Sequence, residues 1–330
     1  MANIKYFPEI PEQINLEPKE FLQWLNTTSI IKAGSGEECV ILFCLVHGNE
    51  PSGFYAFHDL LKKLKVEDNL QKKVYFVFTN VKAALYGDIF EIRFTPNQAD
   101  MNRIWLSPGK NQEQDAIVSE LKSFVKEKNP KLVVDFHNTT GRNPVYLITL
   151  PKIDYGRLKK YSYFTTFLSE DTEETMLISW AGQFCESFLI ECGQNKSEQS
   201  HLNAKEILNR VLIYAGIVDG EIIPQKKVWI AYNPDRVVVN SKNVAISDEN
   251  TGEDAVFRTD LDLLNTKILP KGTSLGYVNK EGIIDHPKLE VIDNKLLLKE
   301  DSVLILLTTH IPAITATCLG YFVDVKEVEV

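Results

Sequence analysis

Residues 39–64 read CVILFCLVHGNEPSGFYAFHDLLKKL, and two periodicities meet in them. Val40 to Val46 is an uninterrupted apolar run rich in branched residues, the pattern of a strand buried on both faces. From Pro51 the apolar residues fall at Phe54, Phe57, Leu60, Leu61 and Leu64. That is the spacing of one helix face, and it predicts a helix over 51–68. Gly48, Pro51 and Gly53 punctuate the turn between, which carries His47 and Glu50. A strand running into a turn and then a helix aims both side chains at one point beyond the strand's end.

The same alternation continues along the chain. KVYFVFTN (73–80), KLVVDFH (131–137) and ESFLIECG (186–193) read as strands. QDAIVSELKSFVKEKN (114–129) and SHLNAKEILNRVLIYAGIV (200–218) read as helices. Buried strands alternating with helices imply an α/β fold with its sheet covered on both faces, where active groups collect at strand ends. Beyond residue 220 the texture becomes short β-rich runs with turns such as NPD, PKG and NKEG. The expected division is a domain over 1–220 and a small β domain over 221–330, shaped as a partial barrel.

Bulk properties narrow the function classes. The chain has 330 residues, 44% hydrophobic and 25% charged, with a formal net charge of −9. That balance argues against an extended phosphate-binding surface, so no nucleic-acid partner is expected. Five cysteines without a CxxC pair suit reduced thiols in a cytoplasmic protein. The N-terminal MANIKYFPEIPEQ lacks the pattern of a signal peptide. The run CVILFCLV is far shorter than the ~20 residues that span a bilayer, so no membrane partner is expected. A homo-oligomer is compatible with all of this.

Several polar groups sit where chemistry is done. Imidazole and carboxylate both bind Zn²⁺, and a catalytic zinc normally takes three protein ligands plus water. His47 and Glu50 suit two of those positions, although for the pair taken alone a glutamate capping a helix beside a strand-end histidine is the better explanation. His137 also ends a buried strand, and Asp135, two residues earlier, shares its face and suits a carboxylate orienting an imidazole. The alternative there is a strand-end histidine simply held by Asp135. Glu191 closes an apolar run, where an unpaired carboxylate is expensive, and near zinc it is a candidate general base. In DMNRIW (100–105), Asn102 and Arg103 could clamp a carboxylate, with Asp100 bracing Arg103. Arg93 could polarise a carbonyl; either arginine could instead be a surface ion-pair partner. His58, His201, His286 and His310 carry no assigned role, and Cys192 reads as structural.

Taken together and in order, HGNEPSG, DMNR, DFHNTTG and ECG resemble the succinylglutamate desuccinylase/aspartoacylase family, relatives of the zinc carboxypeptidases. FRTDLDLLNTKILPKGTSLGY (257–277) is similar to a stretch of that family's C-terminal β domain. The resemblance implies a three-layer α/β/α zinc carboxypeptidase-like domain with a smaller C-terminal β domain, and one Zn²⁺ bound by His47, Glu50 and His137. It further implies Glu191 as the catalytic glutamate, and Asn102 and Arg103 as the clamp on the α-carboxylate of a small N-acyl amino acid. Arg93 matches the carbonyl-polarising arginine once a few extra residues are allowed between Asn80 and Asp100. One departure stands out. Aspartoacylases carry an arginine about ten residues before the catalytic glutamate, and here none occurs between Arg157 and Arg210. Either Arg142 or a lysine substitutes in substrate binding, or the substrate differs from that of the aspartoacylases. The implied activity is a zinc-dependent amidohydrolase of the aspartoacylase or desuccinylase type. The alternatives are a zinc carboxypeptidase for short peptides, or a non-catalytic binding protein on the same fold.

Overall fold

A computed structural model of the chain describes residues 4–67, 70–107, 112–149, 165–168, 176–223 and 226–329. In its first part the strands are β1 (Lys5–Phe7), β2 (Ser29–Ala33), β3 (Cys39–Cys44), β4 (Lys73–Phe78), β5 (Leu132–Thr139), β6 (Tyr146–Thr149), β7 (Thr165–Leu168) and β8 (Glu186–Gln194). The helices are α1 (Pro18–Leu25), α2 (Ser52–Val66), α3 (Val81–Ala84), α4 (Gln112–Lys128), α5 (Leu177–Ala181) and α6 (Glu198–Tyr214). The strands lie side by side in the order β1-β2-β4-β3-β5-β8-β6-β7, with β4, β3, β5 and β8 mutually parallel at the centre.

Alternation along β3 shows why the run is apolar throughout. Val40, Leu42 and Cys44 pack with Phe21 of α1, Phe54, Phe57 and Leu61 of α2, and Ile207 and Val211 of α6. Cys39, Ile41 and Phe43 face the other way, toward Val118, Leu121 and Val125 of α4 and Ile178 of α5. Both faces of the sheet are thus covered, giving the three layers that the sequence implies. Phe57 meets Phe76 and Phe136 edge to face, each at 5.2 Å between ring centres. Full burial of such side chains stabilises by about 1.5–3 kcal/mol each.

Two strand ends differ from the expected ones. The run 40–46 leaves the sheet at Cys44, because Leu45 takes a left-handed backbone with φ 54°. The chain turns there under β4, with the Cys44 and Leu45 carbonyls accepting from the N–H groups of Thr79 and Asn80. β5 continues past His137 to Thr139. The sequence reading also passed over β1, β2 and α1, which add one edge of the sheet and part of one helical layer.

Beyond residue 220 come β9 (Lys227–Val237), β10 (Val244–Ile246), β11 (Ala255–Phe257), β12 (Ile268–Leu269), β13 (Ser274–Val278), β14 (Leu289–Ile292), β15 (Lys295–Leu298), β16 (Ser302–Ile305), the short helix α7 (Ile311–Ala316) and β17 (Gly320–Glu329). They form two sheets rather than a partial barrel. β9, β17, β16 and β12 continue the large sheet through the pairing of β7 with β9, and β10-β11-β13-β15-β14 make a second sheet. The two share a core built on Val237, Phe257, Leu275, Leu298, Leu304 and Phe322. Among the described residues, no helix is long and apolar enough to cross a membrane.

The glycines flanking His47 and Glu50 are explained by close approach. A Cβ on Gly48 would lie 2.5 Å from the backbone of Ala83 and Ala84, and one on Gly53 would lie 2.7 Å from Phe136 Cβ and 2.9 Å from Cys44 Cβ. The turn can therefore enter the sheet's edge only without side chains at these positions. Gly53→Val is expected to lower the unfolding free energy by about 1–3 kcal/mol through overpacking. Chemical denaturation checks this, and an unchanged midpoint would show that α2 can move away from β5 freely.

Candidate active site

The turn between β3 and α2 delivers His47 and Glu50 to the edge of the parallel strands, and both are buried. The Gly48 N–H donates to the Arg93 carbonyl at 2.8 Å, and the Glu50 N–H to the His47 carbonyl at 3.2 Å. His137, two residues before the end of β5, comes up beside them. Its Nδ1 lies 2.7 Å from Glu50 Oε2, while His47 Nδ1 lies 2.8 Å from Glu50 Oε1. One carboxylate thus faces two imidazoles, and the donor atoms of His47, Glu50 and His137 all fall within 4.8 Å of one another.

The outer nitrogens of both rings are held by carboxylates. His137 Nε2 meets Asp135 Oδ2 at 2.7 Å, and His47 Nε2 meets Asp100 Oδ1 at 2.9 Å. This turns each Nδ1 inward toward Glu50, where a neutral ring with its proton on Nε2 would present a lone pair. His47 Nδ1, though close to Glu50, has no properly aligned hydrogen-bond partner among the described residues. Two oriented imidazoles, one carboxylate and an orphaned inward nitrogen fit a divalent metal with three protein ligands, and the outer carboxylates are of the kind that fix such ligands.

Electrostatics set the groups apart. Burial opposes the charge on Glu50, but His47 and His137 outweigh it and hold the carboxyl well below its usual range. For His137, burial opposes protonation, yet Asp135 and Glu50 raise its pKa well above the ordinary value. Asp100 is likewise held low, since His47, Arg93 and Arg103 outweigh its burial. Glu191 behaves in the opposite sense: burial pushes its carboxyl up to about 7, with Glu50 adding to the shift and His137, His47 and Arg93 opposing it.

Glu191 stands directly opposite His137 across β5 and β8, and Tyr146 stands opposite Glu191 across β8 and β6. Residues paired in this way share a sheet face, so the glutamate lies between the imidazole and a buried phenol. Its Oε2 is shut off from solvent without a hydrogen-bond partner among the described residues. A carboxylate kept beside a cluster of metal-ligating groups, rather than tied up by a neighbour, is suited to proton transfer.

The arginines sort themselves by contact. Arg93 joins the cluster: its Nη1 donates to Glu50 Oε1 at 2.8 Å, and its Nη2 lies 2.8 Å from His47 Nε2 and 3.3 Å from Asp100 Oδ2. Asp100 therefore braces His47 and Arg93 by direct contact, where the sequence pointed to Arg103. Asn102 is buried, with its Oδ1 accepting from the Leu177 N–H at the start of α5 at 3.2 Å, which leaves Nδ2 as its side-chain donor. Arg103 is half-buried, and its Nη1 donates to the Asn102 carbonyl at 3.2 Å. Arg142, expected near substrate, is exposed, and its contacts run elsewhere. Its Nε donates to Asp262 Oδ1 at 2.9 Å and its Nη2 to the Thr259 carbonyl at 3.2 Å, so that it supplies a cation to the buried Asp262 carboxylate.

Comparison with known proteins agrees with the motif reading. Residues 37–179 match the family model described as Succinylglutamate desuccinylase/Aspartoacylase catalytic domain. The chain is similar in structure to the product-bound Ectoine utilization protein EutE (DoeB) from Ruegeria pomeroyi, at 18% identity and a TM-score of 0.62, over 92% of this chain and 87% of that one. It is also similar to a succinylglutamate desuccinylase/aspartoacylase from Rhodobacter sphaeroides (15% identity, TM-score 0.60, 92% and 89% covered). Murine aminoacylase 3 gives 14% identity and a TM-score of 0.59, with 90% and 97% covered. At these identities the shared property is the fold, a zinc carboxypeptidase-like α/β/α arrangement with a β-rich C-terminal part. A search of curated proteins gave no match.

The carboxylates behind the imidazoles generate a prediction. Asp100→Asn and Asp135→Asn should each weaken Zn²⁺ binding by ~10–100-fold, because an amide orients the ring less firmly and lowers its basicity. Chelator competition measures this, and parent-like affinity in both variants would remove these carboxylates from the site.

Proposed function

We propose that the protein is a zinc-dependent amidohydrolase that cleaves N-acyl amino acids of the aspartoacylase or succinylglutamate type into a carboxylate and a free amino acid. The observation that carries this reading is the buried His47–Glu50–His137 cluster, its imidazoles backed by Asp100 and Asp135, with Glu191 in the adjacent strand position. His47, Glu50 and His137 would hold the metal. Zn²⁺ so held supplies Lewis acidity, which lowers the pKa of water and polarises a carbonyl.

The chain's own groups account for the remaining steps. Glu191 takes a proton from the attacking water as the new C–O bond forms at the acyl carbon. As the C–N bond breaks, the same carboxyl returns that proton to the departing amine nitrogen. Arg93 sets a cation at the edge of the cluster, where it opposes the negative charge growing on the carbonyl oxygen. Asn102, through Nδ2, and Arg103, through its planar guanidinium, bind the α-carboxylate and fix the scissile bond relative to Glu191. Arg142 is committed to Asp262 and is not assigned to the substrate. The division of the chain into a catalytic part over 1–220 and a β-rich part over 221–330 belongs to this proposal, as does a cytoplasmic location.

The test is to load the purified protein with Zn²⁺, measure metal content, and follow amine release from N-acetyl, N-succinyl and dipeptide substrates. About one Zn²⁺ per chain, lost in His47→Ala and His137→Ala, is the expected result; stoichiometric Zn²⁺ in both variants would overturn the ligand assignment. Release from dipeptides alone would favour a carboxypeptidase. Glu191→Gln should keep the metal while kcat falls by ~10²–10⁴-fold, the usual range for a general base. Steady-state kinetics should also separate the two arginines. Arg103→Lys should chiefly raise KM, by loss of the two-bond geometry, whereas Arg93→Ala should chiefly lower kcat. The reverse pattern would exchange their roles.

A further inference from the structure

Behind the cluster lies a buried polar network that none of the proposed chemistry uses. Its centre is Asn138, the residue after His137, which is 4% exposed. The Asn138 N–H donates to Glu50 Oε2 at 3.2 Å. Its Oδ1 accepts from the Ser52 N–H at 3.1 Å, and its Nδ2 donates to Ser52 Oγ at 2.9 Å and to the Gly193 carbonyl at 3.1 Å. Ser52 Oγ in turn pairs with Ser200 Oγ of α6 at 3.0 Å.

The Gly193 carbonyl is available because β8 bulges there. His137 pairs with Glu191, but Thr139 pairs with Gln194, so two residues of β8, Cys192 and Gly193, oppose Asn138 alone. Gly193 accommodates this with φ 105°. An extra residue re-aims the strand and the side chains beside it, and here the displaced carbonyls are captured: Gly193 by Asn138, and Cys192 by Asn203 Nδ2 at 3.0 Å. One asparagine thus reaches the ligand Glu50, the α2 start two residues after it, and the bulge two residues after Glu191.

We infer that Asn138 is a positioning residue that locks the turn bearing the proposed ligand Glu50 and the β8 bulge together, and so sets the spacing between the proposed ligands and the Glu191 carboxylate. The inference rests on the proposed roles of Glu50, His137 and Glu191. A buried polar network whose donors and acceptors are met rigidifies its surroundings and specifies one arrangement of the segments it joins. Ser200, on α6, marks the far side of the same network and reaches the ligand turn through Ser52 Oγ, with no hydrogen bond to Asn138 or Glu50 among the described residues.

The experiment compares Asn138→Ala, the isosteric Asn138→Asp and Ser200→Ala with the parent. Thermal unfolding, Zn²⁺ affinity by chelator competition, and the visible absorption of the Co²⁺-loaded protein are read for each, together with kcat and KM on whichever N-acetyl or N-succinyl amino acid the parent hydrolyses. Asn138→Ala should weaken Zn²⁺ by ~10–100-fold, the range for groups that orient a ligand. It should also alter the Co²⁺ spectrum and lower kcat more than it changes KM. Asn138→Asp should do the same, because it keeps the acceptor for Ser52 but loses both donors, and it serves where the alanine variant does not fold. Ser200→Ala should lower the unfolding temperature while affinity, spectrum and kcat stay parent-like. Parent-like affinity and spectrum in a folded Asn138 variant, or equal losses in Ser200→Ala, would overturn the inference. A parent that takes up neither Zn²⁺ nor Co²⁺ would overturn the functional reading and this inference together.

Discussion

The Glu50 carboxylate is the constraint on which the site depends. A buried carboxylate is costly unless its oxygens are met by cations or donors. Glu50 is met on every side: by His47 on Oε1, by His137 and the Asn138 N–H on Oε2, and by Arg93 on Oε1 again. The partners come from three segments, so satisfying one carboxylate fixes the β3–α2 turn, the end of β5 and the loop bearing Arg93 relative to one another. Leu45 in a left-handed conformation and glycines at 48 and 53 are the local costs of bringing the turn in so closely.

What could be read from the sequence follows from how far each signal reaches. The strand-turn-helix around His47, the alternation of Asp135 with His137, and the apolar run closing at Glu191 are written within a few residues, and the structure has all three. The central parallel strands are continuous apolar runs and were equally plain. Asp100 is different. Its link to His47 spans 53 residues and a long loop, and nothing local distinguishes a carboxylate that braces Arg103 from one that braces a metal ligand. The pairing of Arg142 with Asp262 is hidden for the same reason, since Asp262 lies 120 residues away. The bulge at Gly193 was hidden because a glycine after a strand reads most simply as its end. α1 was missed although Pro18 at its start and the Glu17–Glu20 capping pair were there to be seen.

The C-terminal part bears on the site through the loop that follows His137. Gly141 sits so close to the Leu307 carbonyl that a Cβ would lie 2.2 Å away, and Thr140 Oγ1 meets Thr308 Oγ1 at 3.0 Å. Arg142 on Asp262 and Asn265 on the Leu307 backbone extend the same seam. The pairing of β7 with β9 carries the large sheet into this part. Asn138 and the seam thus bracket the end of β5 from its two sides: one holds the ligand segment to α2 and β8, the other holds the next residues to the β-rich part.

Charge balance supplies the last step. Around the cluster stand Glu50, Asp100, Asp135 and Glu191, and the guanidinium in direct contact with it is that of Arg93. With neutral imidazoles the carboxylates outnumber that cation, and the protein has three ways to respond. It can protonate His137, which its raised pKa favours; protonate Glu191, whose pKa is pushed up to about 7; or take up a divalent cation between the inward nitrogens. The first two neutralise charge by spending the groups that chemistry needs, a lone pair on one and a base on the other. A divalent cation held by His47, Glu50 and His137, as proposed, would do so while leaving both intact, since metal binding competes with ligand protonation and a nearby cation favours the charged form of a carboxylate. The same excess of negative charge that makes the cluster unfavourable when empty would therefore favour a divalent cation held between these groups.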